Sequence, residues 1–157
     1  MKNFKKLIVT LSVISAMLLT ACGGSTEASA SVSEMVQGIS QSGAAFDELT
    51  PGEDDAEVTN YHYSVESDWY SEYASLSATA ACADEIVIFK ASSDENVDNL
   101  KSALEAYLEK RKSDFQQYAP DEYDKLSKCS VITKGDYVCL IVSSDEDTAK
   151  NKFNSYF

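Results

Sequence analysis

The chain reads as an α+β domain behind a secretory leader. Two short, continuously apolar runs of strand length, Ile86-Val87-Ile88-Phe89 and Tyr137–Val142, call for a sheet. After the first run, Val97, Leu100, Leu104, Tyr107, Leu108, Phe115 and Tyr118 keep three-four spacing, which calls for a long helix. Ser-Ser-Asp-Glu stands between strand and helix twice, at 92–95 and 143–146. If residues 72–80 form a strand, the order is β-β-α followed by β-β-α. The expected fold is a mostly antiparallel sheet of about four to five strands, with two long helices on one face and a short N-terminal helix.

The first residues carry Lys2, Lys5 and Lys6 ahead of an apolar run, Leu7–Leu19, and no acid precedes Glu27. A spanning helix needs about 20 residues, so this run has the form of a signal peptide. It ends in Leu19-Thr20-Ala21-Cys22, which resembles the bacterial lipobox. Of these four residues only the Cys22 thiol can carry a diacylglycerol thioether. An ordinary secretory signal with an incidental cysteine is the simpler alternative. The lysine head, the core length, the lipobox and Gly23-Gly24-Ser25 together favour removal of residues 1–21 and lipidation of Cys22. Each buried methylene contributes about 0.8 kcal/mol, so several acyl chains hold a protein durably. The expected location is the outer face of the bacterial cytoplasmic membrane. Residues 22–31 read as a flexible tether, reaching roughly 17–19 Å as a random coil.

The remaining residues, 32–157, are expected to form one globular domain. The chain has 13 Lys and Arg against 26 Asp and Glu, a formal charge of −13. Nucleic acid is an unfavourable partner for such a surface, and anionic lipid heads are too. The expected partners are the membrane, through the anchor, and an envelope protein or a small-molecule ligand. Solubility is the simplest reading of the charge; attraction of cations or a basic partner is the sharper one.

Val32, Met35, Val36 and Ile39 make one apolar stripe, predicting a helix over about 33–41. Thr50-Pro51-Gly52 signals a turn. Tyr61, Tyr63 and Val65 alternate with Asn60, His62 and Ser64, predicting a half-buried strand. Residues 72–80 fit a strand or a helical piece. Ser92–Glu95 and Ser143–Glu146 both fit a capping box. Pro120 ends the long helix and starts a short one bearing Tyr123 and Leu126. Ala149, Phe153 and Tyr156 share one side of the last helix.

Residues 130–133 and 137–142 flank Lys134-Gly135 as a β-hairpin. With a Thr133-Lys134-Gly135 loop, Cys129 falls opposite Cys139, close enough for a disulfide. With a Lys134-Gly135 loop the two point to opposite faces. Both registers remain open.

Four landmarks carry a family resemblance: Ala83-Asp84-Glu85-Ile86, Tyr118-Ala119-Pro120, Gly135-Asp136-Tyr137-Val138 and Phe153–Phe157. Over about residues 61–157 the chain resembles the Gram-positive lipoproteins known as domain of unknown function 4358. The resemblance implies an extracytoplasmic α+β lipoprotein and carries no catalytic or binding residues with it.

Little in the sequence points to catalysis. His62 is the sole histidine, so metal sites built on two or three histidines are excluded. There is no Gly-rich phosphate loop and no GxSxG elbow. Asp94-Glu95, Asp121-Glu122 and Asp145-Glu146-Asp147 lack EF-hand spacing and sit where helix starts attract negative charge. No metal, cofactor or catalytic residue is therefore expected. Tyr61, Tyr63, Trp69, Tyr70 and Tyr73 form an aromatic group suited to ligand binding or to core packing. The expected role is a non-catalytic binding or accessory module of the cell envelope. The alternative is a thiol enzyme using Cys82, Cys129 or Cys139 with His62 as base. Both alternating sets of Ile86–Phe89 are apolar, so both faces of the sheet need cover. The N-terminal helix or the aromatic segment covers the second face either fully or with a ligand groove left open.

Overall fold

The structure, a computed structural model, describes residues 26–53 and 55–157. The leader, the lipobox and the lipidation expected at Cys22 lie outside the described residues. In chain order come α1 (Val32–Ser40), β1 (Thr50–Pro51), α2 (Ala56–Tyr63), β2 (Tyr70–Ser77), β3 (Glu85–Ala91), α3 (Asp94–Phe115), α4 (Pro120–Lys128), β4 (Ile132–Lys134), β5 (Tyr137–Val142) and α5 (Glu146–Asn154). One antiparallel sheet takes the order β1-β2-β3-β5-β4. The α+β class, the five-stranded sheet and the N-terminal helix are those the sequence predicts, and the undecided stretch 72–80 is strand as far as Ser77.

β3 and β5 pair at the centre and are apolar on both sides. Ile86, Ile88, Cys139 and Ile141 face one way; Val87, Phe89, Val138 and Leu140 face the other, and all are fully buried. α1 and α5 cover the first face with Met35, Ile39, Ala149 and Phe153. α3 and α4 cover the second with Leu100, Leu104 and Leu126, joined by Tyr63 of α2. The two long helices, expected on one face, therefore lie on opposite faces. A single helical layer would have left the other apolar set in water. The arrangement also argues against a duplicated β-β-α unit. β3 and β5 are antiparallel, with β2 and β4 outside them, so a rotation relating the halves would put both following helices on the same face.

The two Ser-Ser-Asp-Glu stretches do not form capping boxes. Ser92 Oγ donates to Asp68 O at 2.6 Å, and Ser93 caps α3 without a side-chain bond. Ser143 Oγ donates to Ala45 O at 2.6 Å, and Asp145 caps α5 by accepting from Thr148 N. Both serines are taken by a neighbouring loop. A full capping box forms at α1, between Ser31 and Glu34.

Residues 60–63, expected as strand, are the end of α2, and Ser64 and Val65 follow it. Asp55 accepts from Glu57 N and Val58 N at 2.9 and 3.1 Å, and Ser64 closes the helix with a φ of 55°. Tyr61 and Tyr63 point to different sides of that helix, 89% and 3% exposed. In β2 an irregular register between Tyr70 and Glu72 turns Tyr70 and Tyr73 to the same face. Both then pack against Phe89, Tyr70 edge-on and Tyr73 tilted, with ring centroids 5.1 and 4.9 Å away. The aromatic segment thus packs onto the second face, and a pocket of about 260 Å³ lined by Val58, Tyr63, Tyr73 and Ser75 remains between α2 and the β2 edge.

The hairpin turns on Gly135-Asp136, because Lys134 pairs with Tyr137 and Gly135 takes a φ of 54°. Neither register read from the sequence is used. Cys139 pairs with Ile132 and Ile88 on the α1–α5 face, while Cys129 caps α4 on the opposite face. The Cys129–Cys139 disulfide is not formed, and both thiols are free.

Of the stretch 22–31 expected as a flexible tether, the described residues 26–31 lie against the domain. Ser29 N and Oγ both donate to Tyr156 O, at 2.8 and 2.9 Å. Gly38 of α1 sits so close to the Tyr156 hydroxyl that a Cβ there would collide with it.

Phe153→Ala should lower the unfolding free energy by about 3–5 kcal/mol. Tyr61→Ala should change it by no more than about 0.5 kcal/mol. Urea unfolding followed by Trp69 fluorescence checks both, and equal losses would contradict this packing.

Candidate functional site

Glu85 occupies the position before Val87 and Phe89 on the same side of β3, where the pattern asks for an apolar residue. It is 1% exposed. An ionised carboxylate at such depth needs hydrogen bonds and a counter-charge. Tyr63 of α2 donates its hydroxyl to Oε1 at 2.7 Å. Tyr107 and Arg111 of α3, one turn apart, converge from the other side. The Tyr107 hydroxyl lies 3.1 and 3.0 Å from the two carboxylate oxygens, and Arg111 Nη1 lies 3.4 Å from Oε2. Arg111 Nη1 also donates to the Tyr107 hydroxyl at 2.9 Å, and Nη2 to Cys82 O at 3.4 Å. His62 Nε2 is 3.0 Å from the same Tyr107 hydroxyl.

The electrostatics follow from this geometry. Burial, then the Glu85 charge, pushes both the Tyr63 and Tyr107 hydroxyls well above the ordinary tyrosine range. Burial works against the Arg111 charge, but Glu85 and Tyr107 outweigh it and its pKa rises. Arg111 is the chain's only arginine and His62 its only histidine. The fold brings Arg111 to the Glu85 carboxylate and His62 to the Tyr107 hydroxyl that bonds it.

A second polar group adjoins it at the same end of the sheet. Asp84, buried, takes Lys125 Nζ at 2.7 Å and Asp47 N at 2.8 Å. Lys125 also meets Glu122 at 3.0 Å, and Glu122 accepts from Ala83 N at 2.7 Å. Burial lowers the Lys125 pKa, and its bonds to Asp84 and Glu122 raise it by more. Cys82 donates its S–H to Asp47 Oδ2 at 2.8 Å. That bond first, and burial second, pushes the thiol up to about 11. Asp47, Cys82 and Glu122 bring ligand atoms within 4.8 Å of one another, a set able to hold a divalent ion. The Lys125 ammonium already answers part of its charge.

Between the two groups opens a cleft of about 350 Å³, lined by His62, Cys82, Arg111, Asp114, Phe115 and Tyr118 together with residues 77–80. Among the residues singled out from the sequence, His62 and Cys82 meet here. Tyr63 lies beneath it, committed to Glu85. Trp69, Tyr70 and Tyr73 are half-buried packing groups, and Tyr61 stands exposed on the outer side of α2. Glu85, Tyr107, Arg111, Asp84 and Lys125 were not legible as a site. A glutamate heading an all-apolar strand, and a lone arginine four residues after a helical tyrosine, were the available signals. Asp84 and Glu85 lie inside Ala83-Asp84-Glu85-Ile86, so that landmark contributes the carboxylates of two buried ion pairs.

A family model described as "Domain of unknown function (DUF4358)" matches residues 44–143. The chain belongs to this family. The match begins and ends earlier than the stretch 61–157 that carries the resemblance, and leaves Phe153–Phe157 outside. It takes in the whole sheet with α2, α3 and α4, and therefore every residue of the two polar groups. α1 and α5 of this DUF4358 protein fall outside the match. Neither a curated protein nor a solved structure matches the chain.

Arg111→Met should leave the Glu85 charge buried and unanswered, lowering the unfolding free energy by about 3–5 kcal/mol. Adding Glu85→Gln removes that charge yet keeps an acceptor for Tyr63, so the double variant should regain more than half. Urea unfolding of the single and double variants measures this. Failure to regain would mean that Arg111 acts through packing alone.

Proposed function

We propose that this DUF4358 protein is a lipid-anchored, non-catalytic module on the outer face of the cytoplasmic membrane, binding a ligand or an envelope partner at the His62–Arg111 cleft. The observation that carries the anchor is Leu19-Thr20-Ala21-Cys22 behind a lysine head and an apolar core of signal-peptide length. The engagement of the reactive side chains supports the non-catalytic reading. His62 is bonded to Tyr107, and Cys82 to Asp47. Burial, with Glu146 beside it, pushes the Cys129 thiol up to about 11, and burial pushes Cys139 higher still. A nucleophilic cysteine needs the opposite, a thiolate favoured by a nearby positive charge or base. The cleft combines an arginine, an imidazole, an aspartate and two aromatic rings, which suits polar recognition.

The thiol-enzyme alternative has one observation in its favour: Cys82 and His62 line the same cleft. Among the described residues, neither Cys82 nor the other two thiols bonds to His62.

Two measurements test these readings. Cys22→Ala should leave an unprocessed precursor and abolish metabolic fatty-acid labelling; undiminished labelling would end the lipoprotein reading. At pH 8 a thiol near 11 holds about 100-fold less thiolate than an ordinary one near 9. Iodoacetamide should therefore modify Cys82 about 100-fold more slowly than an ordinary exposed cysteine, and faster once Asp47→Asn removes the acceptor charge. Rapid alkylation of the unaltered protein, read by peptide mass spectrometry, would restore the enzyme alternative.

A further inference from the structure

The chain is seated on the domain from residue 26 onward. Thr26 lies against Gly135, where an added Cβ would come within 3.0 Å of Thr26 O. Glu27 meets Lys90 Nζ at 3.3 Å, and Ser29 bonds to Tyr156 O. Four peptide units separate Cys22 from Thr26, and each spans at most about 3.6 Å, so Cys22 stays within about 14 Å of Thr26 at the β4–β5 turn.

That turn marks one end of the sheet. Ala91 N donates to Asp136 O at 2.7 Å, Tyr70 pairs with Ala91, and Ser92 N donates to Trp69 O at 2.9 Å. The start of β2, the end of β3 and the C-terminus therefore all lie there. Ser77, Glu85 and Val142 are in register at the other end. α3 starts beside the first end and runs 22 residues, about 33 Å, to the second, where Tyr118 borders the cleft.

We infer that the β4–β5 turn end is the membrane-facing surface of this protein, resting on the leaflet that holds Cys22, with the His62–Arg111 cleft directed away from it. The inference rests on the lipidation proposed above. The surface at this end suits the headgroup level. Lys90, over the buried Tyr137 ring, is already paired with Glu27 and Glu72, while Lys134 and Lys152 lie over the rings of Phe157 and Tyr156, at 5.6 and 4.6 Å. Such groups place charge in the headgroups and hydrocarbon below them. A pose on the β1 edge is opposed by charge, although the turn end has acids of its own in Asp68, Asp94, Glu95 and Asp136. No lysine or arginine occurs between Lys6 and Lys90, so Glu34 of α1, Glu57 of α2 and Asp47, Glu48 and Glu53 between these helices have no basic residue in the same stretch of chain. An anionic leaflet repels such a flank.

The test uses the full, lipidated protein, purified from membranes and reconstituted in phosphatidylcholine–phosphatidylglycerol vesicles containing a nitroxide-headgroup lipid. Two variants move the single tryptophan: Trp69→Phe with Thr133→Trp, at the turn end, and Trp69→Phe with Tyr118→Trp, at the cleft end. Both receiving positions are exposed. Quenching should be several-fold stronger at 133 than at 118. The unsubstituted protein, with Trp69 at the turn end, should also be quenched more than the 118 variant, a comparison that does not depend on the 133 variant folding. Equal quenching, or stronger quenching at 118, overturns the orientation. Mass spectrometry of the same samples reports the lipid on Cys22. Its absence overturns the anchor and the orientation together, whereas its presence with the wrong quenching order overturns the orientation alone.

Discussion

The pairing of β3 with β5 governs the rest of the molecule. Both strands are apolar on both faces, so neither face can meet water. Two helical layers are then required, and the chain draws them from different places. The layer of α2, α3 and α4 lies within residues 44–143, together with the whole sheet. The layer of α1 and α5 comes from the two flanks of that segment. These flanks meet where Ser29 bonds to Tyr156 and where Gly38 admits the Tyr156 hydroxyl. The two ends of the domain therefore hold each other and the sheet at once.

Within the second layer Glu85 breaks the apolar pattern. Its burial is made tolerable by two tyrosine hydroxyls and the chain's only arginine. The cost of leaving any of these groups unpaired fixes α2 and α3 relative to β3 more specifically than apolar contact would. Asp84 does the same for α4 through Lys125. Both carboxylates sit at one end of the sheet, so that end is polar and tightly specified. The opposite end, where the chain enters and leaves, carries lysines over aromatic rings. The molecule is thus chemically different at its two ends.

Local patterns fared unequally, and the reasons are physical. Val32, Met35, Val36 and Ile39 were legible as a buried stripe because three-four spacing leaves one helical face and no competitor. Tyr61 to Val65 was misread because period-two alternation over five residues also fits a short helix, and the Asp55 cap decided for helix. The Ser-x-x-Glu boxes failed because a loop carbonyl, Asp68 O or Ala45 O, offered each serine a tertiary partner. The turn at Gly135-Asp136 shifted the hairpin register and sent Cys129 and Cys139 to opposite faces.

The sequence by itself determined the acidic character, the α+β class and the need to cover both faces of the central strands, and it holds the leader pattern on which the proposed anchor rests. Each depends only on composition or on spacing along the chain. Tertiary structure alone decided that α3 and α5 take opposite faces, that β2 is irregular at Ser71 so that Tyr70 and Tyr73 share Phe89, and that Glu85 gathers Tyr63, Tyr107 and Arg111, with His62 on the Tyr107 hydroxyl. These depend on residues up to 45 positions apart meeting across a sheet and two helices. The only arginine and one glutamate among many show no spacing that relates them. Their pairing follows from the free energy of burying one charge, which exists only once the layers have closed over it.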